Sequence, residues 1–410
     1  MRRTRLIVSM VAAAAVVLGG VGTLAGAPPA RAATLTQVSA FGSNPGALQM
    51  FVHRPAGATT GRPVVVALHG CTQNAAGYAA GSGWTELADR WGVTVVLPQQ
   101  TSANNQNSCF NWFQPGDVAR GQGEAASIAS MVAHARSAWG AGRAYVTGLS
   151  AGGAMSAAML AAYPDVFTAG AVVAGIPVGC ATDTTSAFGC MNSPPTRTPT
   201  QWASAVRAAA PAGTTDWPEV SVWHGDADYT VRPGNATNSR DQWTAVHGLS
   251  ATPTRTTALA GGATRAVYAS PDGVARVTTY TMAGMGHATP NDPGTGPQQC
   301  GAAGAYFADT ICSSWYDGVA WGLDGGAGTP TTTPTTAPTT APTTAPTTSA
   351  PSLGCWTSSN YAHTQAGRAT QSGGRAYAVG SGTDLGLWNT YVTTSLRQTR
   401  TGYYDRVTAC

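Results

Sequence analysis

The segment Ala144–Met155 reads AYVTGLSAGGAM. Ala144 to Thr147 is a short apolar run of the kind that enters a sheet as a buried strand. An Ala- and Met-rich helical stretch leaves from Gly153. Between them, Gly148-Leu149-Ser150-Ala151-Gly152 fits the G-x-S-x-G nucleophile elbow, a strained turn that presents a serine between strand and helix. Glycines are needed there because side chains would collide with neighbouring backbone. The start of the helix turns free N–H groups towards negative charge developing beside Ser150. The motif alone recurs by chance in a chain with 51 glycines, so its weight comes from the strand before it and the helix after it.

Outward from Ser150, short apolar runs alternate with helical stretches. Pro63–Leu68, Val93–Leu97, Ala171–Ile176, Val220–Trp223 and Arg276–Tyr280 read as strands, Glu124–Trp139 and Ala151–Tyr163 as helices. That alternation predicts a doubly wound α/β sheet, and with the elbow it predicts the α/β-hydrolase fold.

A serine hydroxyl attacks well only when a base takes its proton. In this fold an acid and then a histidine follow the serine along the chain. Four histidines do so: His224, His247, His287 and His363. His287, in the glycine loop Ala283–Ala288 after the Arg276–Tyr280 strand, is the expected base. His224 ends a strand and is read as shaping the acid loop. His247 is read as a surface residue, and His363 lies far along the chain. The acid belongs after the strand at 220–223, where His224-Gly225-Asp226-Ala227-Asp228 offers two aspartates. Residue chemistry leaves Asp226 and Asp228 nearly even, the loser being a loop-bracing group. Two N–H donors should meet the oxyanion. One is that of Ala151; the other is expected at Cys71, in Leu68-His69-Gly70-Cys71, with His69 bracing the loop. No metal or cofactor is expected.

Arg2, Arg3 and Arg5 precede an apolar run from Leu6 to about Leu24, and Ala30-Arg31-Ala32 follows. This reads as a secretory signal peptide over 1–32. Its removal leaves eighteen arginines against eighteen acids and no lysine, so neither nucleic acid nor an anionic membrane is an expected partner. In an exported chain eight cysteines read as four disulfides. Of the 105 pairings, the simplest is Cys71–Cys109, Cys180–Cys190, Cys300–Cys312 and Cys355–Cys410. Residues 327–352 are a Thr/Pro/Ala linker, which separates the expected α/β-hydrolase domain at 33–326 from a compact unit at 353–410. That unit reads as small and all-β. It carries seven aromatics (Trp356, Tyr361, Tyr377, Trp388, Tyr391, Tyr403 and Tyr404), more than so small a core can bury.

The stretches LHGCTQNAAGYAAGSGW, SCFNWF, YVTGLSAGGAMS, HGDADYTV and GMGHATP together resemble the secreted poly(3-hydroxybutyrate) depolymerase family of esterases, a group that includes acetylxylan and feruloyl esterases. In that family the acid is the second aspartate of H-G-x-x-D-x-x-V, so the resemblance favours Asp228. The unit 353–410, with LWNTYVTTSLRQT and GYYDRVTAC, is similar to the substrate-binding domain of extracellular depolymerases. The resemblance implies a monomeric, secreted serine esterase acting on an insoluble polyester surface, or else an acetylxylan or feruloyl esterase acting on cell-wall polysaccharide.

Every expected reacting group lies before the linker. Truncation after about Gly326 should therefore leave hydrolysis of soluble short-chain esters nearly intact. Degradation of solid polymer, followed by turbidity, should fall sharply. Equal loss on both substrates would contradict this division of labour.

Overall fold

The computed structural model describes residues 34–325 and 354–410, apart from 373, 374, 380, 389–391, 401, 402 and 409. The expected signal peptide, the linker and Tyr391 lie outside the described residues.

Ten strands form the main sheet: β1 (Thr36–Val38), β2 (Gln49–His53), β3 (Val64–Leu68), β4 (Thr94–Gln99), β5 (Ala144–Leu149), β6 (Phe167–Val173), β7 (Glu219–Gly225), β8 (Arg255–Ala258), β9 (Ala263–Ala269) and β10 (Ala275–Met282). Their spatial order is β1-β2-β4-β3-β5-β6-β7-β10-β9-β8. From β4 to β10 neighbouring strands are parallel, while β1, β2, β8 and β9 add antiparallel edges. This is the predicted α/β-hydrolase arrangement.

Side chains alternate across β3, and both faces are buried. Val64, Val66 and Leu68 pack with Ile128, Met131 and Met159, from helices 123–139 and 151–162. Val65 and Ala67 face Tyr78, Trp84 and Ala88 from helices 75–82 and 84–91. On that second face Trp321 stacks between Trp84 and Tyr145, with ring centroids 5.5 and 5.0 Å away.

Two expectations about local structure change. Ala171–Ile176 was expected as a strand, but β6 spans Phe167–Val173. The apolar run continues past its end because Ala174 turns the chain at φ 45° and Ile176 packs in a separate cluster with Ala154 and Trp202. His247 is half-buried rather than a surface residue: its Nε2 lies 3.0 Å from the Pro218 carbonyl, and burial lowers its pKa to about 4.

The C-terminal unit contains two three-stranded antiparallel sheets, 355–359 with 393–400 and 403–407, and 369–372 with 375–378 and 384–387. One short helix, Asn360–Gln365, starts where Ser359 Oγ accepts the Ala362 N–H. Its core is small, built from Ala369, Ala376, Ala378, Leu385 and Leu396. The Cys355–Cys410 bond ties its two ends, and all four disulfides follow the simplest pairing.

Asp317, on helix 313–320, is buried against β7. It accepts from Ser221 Oγ at 2.6 Å and from Trp223 Nε1 at 3.1 Å. Burial raises its pKa to about 7, against the opposing pull of those bonds. A carboxyl whose pKa rises on folding favours the native state below its unfolded pKa, and that contribution is lost as pH climbs through 7. Asp317→Asn keeps an acceptor and removes the titration. Wild type should lose up to roughly 4 kcal/mol more stability than the variant between pH 4 and 8, as measured by denaturant melts. Parallel pH profiles would contradict a buried, titrating Asp317.

Candidate active site

Ser150 sits between β5 and helix 151–162 at φ 58° and ψ −117°, a conformation that is strained for any residue with a Cβ. Three glycines permit the turn. A Cβ on Gly148 would lie 2.6 Å from the Gly152 backbone, one on Gly152 2.3 Å from the Leu68 carbonyl oxygen, and one on Gly153 2.7 Å from that of Val173. The Ser150 N–H donates to the Val173 carbonyl at 2.9 Å, which pins the elbow to the end of β6.

The loop after β3 lies against this serine. A Cβ placed on Gly70 would lie 3.1 Å from Gln73 Oε1 and 3.5 Å from Ser150 Cβ, which puts this loop in contact range of the serine. Gly70 N–H donates to Gln73 Oε1 at 2.8 Å, Gln73 N–H to the Gly70 carbonyl at 3.2 Å, and Thr72 N–H to the Asn107 carbonyl at 2.7 Å. Among the described residues these loop bonds engage Gly70, Thr72 and Gln73 and leave out the N–H of Cys71. The Cys71–Cys109 bond anchors the loop covalently. His69 is buried and 2.7 Å from the Gly70 carbonyl through Nδ1, while its Nε2 accepts from Gln100 N–H at 3.1 Å. Burial lowers its pKa to about 4, so the ring is neutral, with its proton on Nδ1. It braces the loop, as expected.

At the end of β7 the structure separates the two aspartates. Asp228 is buried, and its Oδ2 lies 2.7 Å from His287 Nδ1. Its Oδ1 accepts from the N–H groups of Thr230 (2.8 Å) and Val231 (2.9 Å). Burial alone would push this carboxyl up. The His287 hydrogen bond and charge, with Val231 N–H and His224, outweigh that and hold it below the usual range. Asp226 is solvent-exposed and accepts the Gly284 N–H at 2.7 Å, stitching the acid loop to the histidine loop. Ala227 N–H adds a second stitch to the Met285 carbonyl at 3.1 Å. His224 Nε2 reaches the Val231 carbonyl at 2.8 Å, so it shapes the acid loop.

Sequence reading missed a buried acid. Glu124, in the first turn of helix 123–139, accepts from Gln100 Nε2 at 2.5 Å and from Asn111 N–H at 2.8 Å. Burial pushes its carboxyl up to about 8. An acid in a first helical turn ordinarily serves the helix dipole in solvent, so only its burial reveals it. Tyr229 and Phe188 are large apolar side chains left 74% and 58% exposed. The first adjoins Asp228; the second lies on helix 184–192, whose Met191 carbonyl accepts Arg232 N–H at 2.9 Å. Among the described residues no cluster of three His, Cys, Asp or Glu side chains could hold a metal ion.

The family described as "Esterase PHB depolymerase" matches residues 48–267. The chain belongs to that family. It is a carboxylic ester hydrolase of the α/β-hydrolase type. Poly(3-hydroxyalkanoate) depolymerase C of Paucimonas lemoignei is 51% identical over 294 residues, covering 71% of this chain and 70% of that protein. An acetylxylan esterase of Coprinopsis cinerea is 36% identical over 273 residues, 64% of this chain and 71% of its own. Among solved structures, the acetyl xylan esterase from Aspergillus awamori superposes with a TM-score of 0.57 at 28% identity, over 62% of this chain and 94% of its own.

The two aspartates should respond differently to the same change. Asp228→Asn removes the anionic acceptor facing His287 and should lower kcat on a soluble nitrophenyl ester by about 10³- to 10⁴-fold. Asp226→Asn keeps an oxygen for Gly284 N–H and should stay within about tenfold of wild type. The reverse ranking in steady-state kinetics would reassign the acid.

Proposed function

We propose that this protein is an exported serine esterase that cleaves the ester bonds of poly(3-hydroxybutyrate)-type polyesters through Ser150, His287 and Asp228. Residues 33–326 form the catalytic domain, 327–352 the tether and 353–410 a polymer-binding module. Chemically, the reading is carried by the anionic, buried Asp228 held against His287 Nδ1, at the same sheet end as the strained Ser150. With Nδ1–H committed to Asp228, His287 Nε2 is free to take the Ser150 proton. Ser150 Oγ then attacks the ester carbonyl, and the N–H groups of Cys71 and Ala151 receive the oxyanion. The protonated His287 returns its proton to the departing alcohol as the ester C–O bond breaks. Water, deprotonated by the same ring, then releases the acid from the acyl-enzyme.

For the substrate, the 51% identity to a polyhydroxyalkanoate depolymerase favours polyester over polysaccharide esters. The exposed Tyr229 and Phe188 offer apolar contact beside the acid loop, and Leu387 and Trp388 do so on the C-terminal module. Four disulfides suit an exported enzyme. The second reading, an acetylxylan or feruloyl esterase, draws on the 36% identity to an acetylxylan esterase.

Clearing of a poly(3-hydroxybutyrate) suspension, run beside acetate release from acetylated xylan, decides between them. The expected result is clearing without acetate release, abolished by Ser150→Ala. Acetate release without clearing would establish the cell-wall reading, and near wild-type turnover by Ser150→Ala would end the serine-esterase mechanism.

A further inference from the structure

We propose that Glu124 is a positioning residue for the oxyanion loop, setting the direction of the Cys71 N–H through Gln100, His69 and the Cys109 end of the disulfide. This rests on the reading of Cys71 N–H as an oxyanion donor beside Ser150.

Glu124 is fully buried although it carries a carboxyl group. Oε1 accepts from Gln100 Nε2 at 2.5 Å and lies 3.5 Å from Asn104 Nδ2, and Oε2 accepts from Asn111 N–H at 2.8 Å. Every group aimed at it is an N–H donor. The ionised carboxyl, favoured above the pKa of about 8 to which burial raises it, accepts on both sides of such a site; a glutamine would turn an amide N–H₂ towards one of the donors at any pH. The Glu124 N–H is itself fixed by Asp117 Oδ1 at 3.3 Å.

From this anchor two routes reach the loop. Along the first, Gln100 is held by its side chain, and its main-chain N–H donates to His69 Nε2 at 3.1 Å. That bond puts the ring proton on Nδ1, which donates to the Gly70 carbonyl at 2.7 Å. The Gly70 carbonyl and the Cys71 N–H belong to one planar trans peptide and point in opposite directions. Fixing the carbonyl towards His69 therefore fixes the N–H away from it. Along the second route, Gln100 Nε2 also donates to the Cys109 carbonyl at 3.1 Å, and Glu124 holds Asn111 two residues on. Cys109 is bonded to Cys71. The same carboxyl thus restrains the donor peptide through hydrogen bonds on one side and through a covalent bond on the other.

The distinction from a merely structural acid lies in what is lost. A misdirected oxyanion donor weakens the transition state more than the ground state. Glu124→Gln should lower kcat on p-nitrophenyl butyrate by about 10- to 100-fold with KM within about twofold. Inhibition by n-butylboronic acid, which forms a tetrahedral serine adduct, should weaken in step with kcat/KM. Adding Cys71→Ala/Cys109→Ala to Glu124→Gln should cost less than the product of the separate losses, since both changes act on one peptide. Glu124→Asp, whose shorter carboxyl cannot span both donors, gives the same reading should the glutamine variant fail to fold. A folded variant with wild-type kcat, a loss confined to KM, or fully multiplicative losses would overturn the assignment. Ser150→Ala run alongside identifies the other failure: if it stays active, the nucleophile reading falls and this inference falls with it.

Discussion

The upper edge of the sheet depends on how closely three stretches of backbone approach one another around Ser150. Residues 148–153, the Leu68–Gly70 segment and the end of β6 meet at distances that no Cβ could enter. The strain at Ser150 persists because the surroundings leave it no other place: β5 is paired on both sides, and the helix that follows is buried over its whole length. This tightness places the loop after β3 beside the serine. It also makes the remaining site a problem of orientation, to be solved by the loops that end β3, β7 and β10.

Those loops are held by polar groups inside an apolar body, and two of the buried acids, Asp228 and Glu124, resolve their burial differently. Asp228 collects an imidazole and two N–H groups, enough to stay ionised despite being buried. Glu124 collects N–H donors too, yet its neighbour Asp117 opposes ionisation and burial dominates. The contrast fits their positions. Asp228 faces an imidazole whose hydrogen bond and charge favour the carboxylate, whereas Glu124 faces main-chain and amide N–H groups with the Asp117 carboxyl nearby.

Much of this was legible because the elbow and the parallel strands leave local marks. Glycine is forced where backbones touch, and strands covered on both faces are continuous apolar runs. His287 and the Asp226–Asp228 pair were visible from chain order, since each follows the end of a strand. Choosing between the aspartates was not a local matter, because it turns on a histidine 59 residues away. The antiparallel edges were missed for a different reason. β8 is exposed at all four positions, so it carries no hydrophobic signature, and β1 is three residues long. Glu124 and Asp317 escaped notice because their partners, Gln100 and Ser221, lie 24 and 96 residues away.

The loop after β3 shows why such hidden partners arise. Residues 69–74 lie in neither a strand nor a helix apart from the cap at Asn74, and Thr72 and Ser108 adopt left-handed φ values of 63° and 50°. A loop of this kind has no ladder of main-chain bonds to hold it, and each left-handed residue with a side chain costs free energy of order 1 kcal/mol. A single tether would fix its distance from the serine without fixing the rotation of the Gly70–Cys71 peptide. The Cys71–Cys109 bond limits distance, and the His69 contact to the Gly70 carbonyl limits rotation. Both restraints converge on Gln100, which is buried together with Glu124. A buried carboxyl group with N–H donors aimed at both oxygens is a compact way to make that convergence rigid.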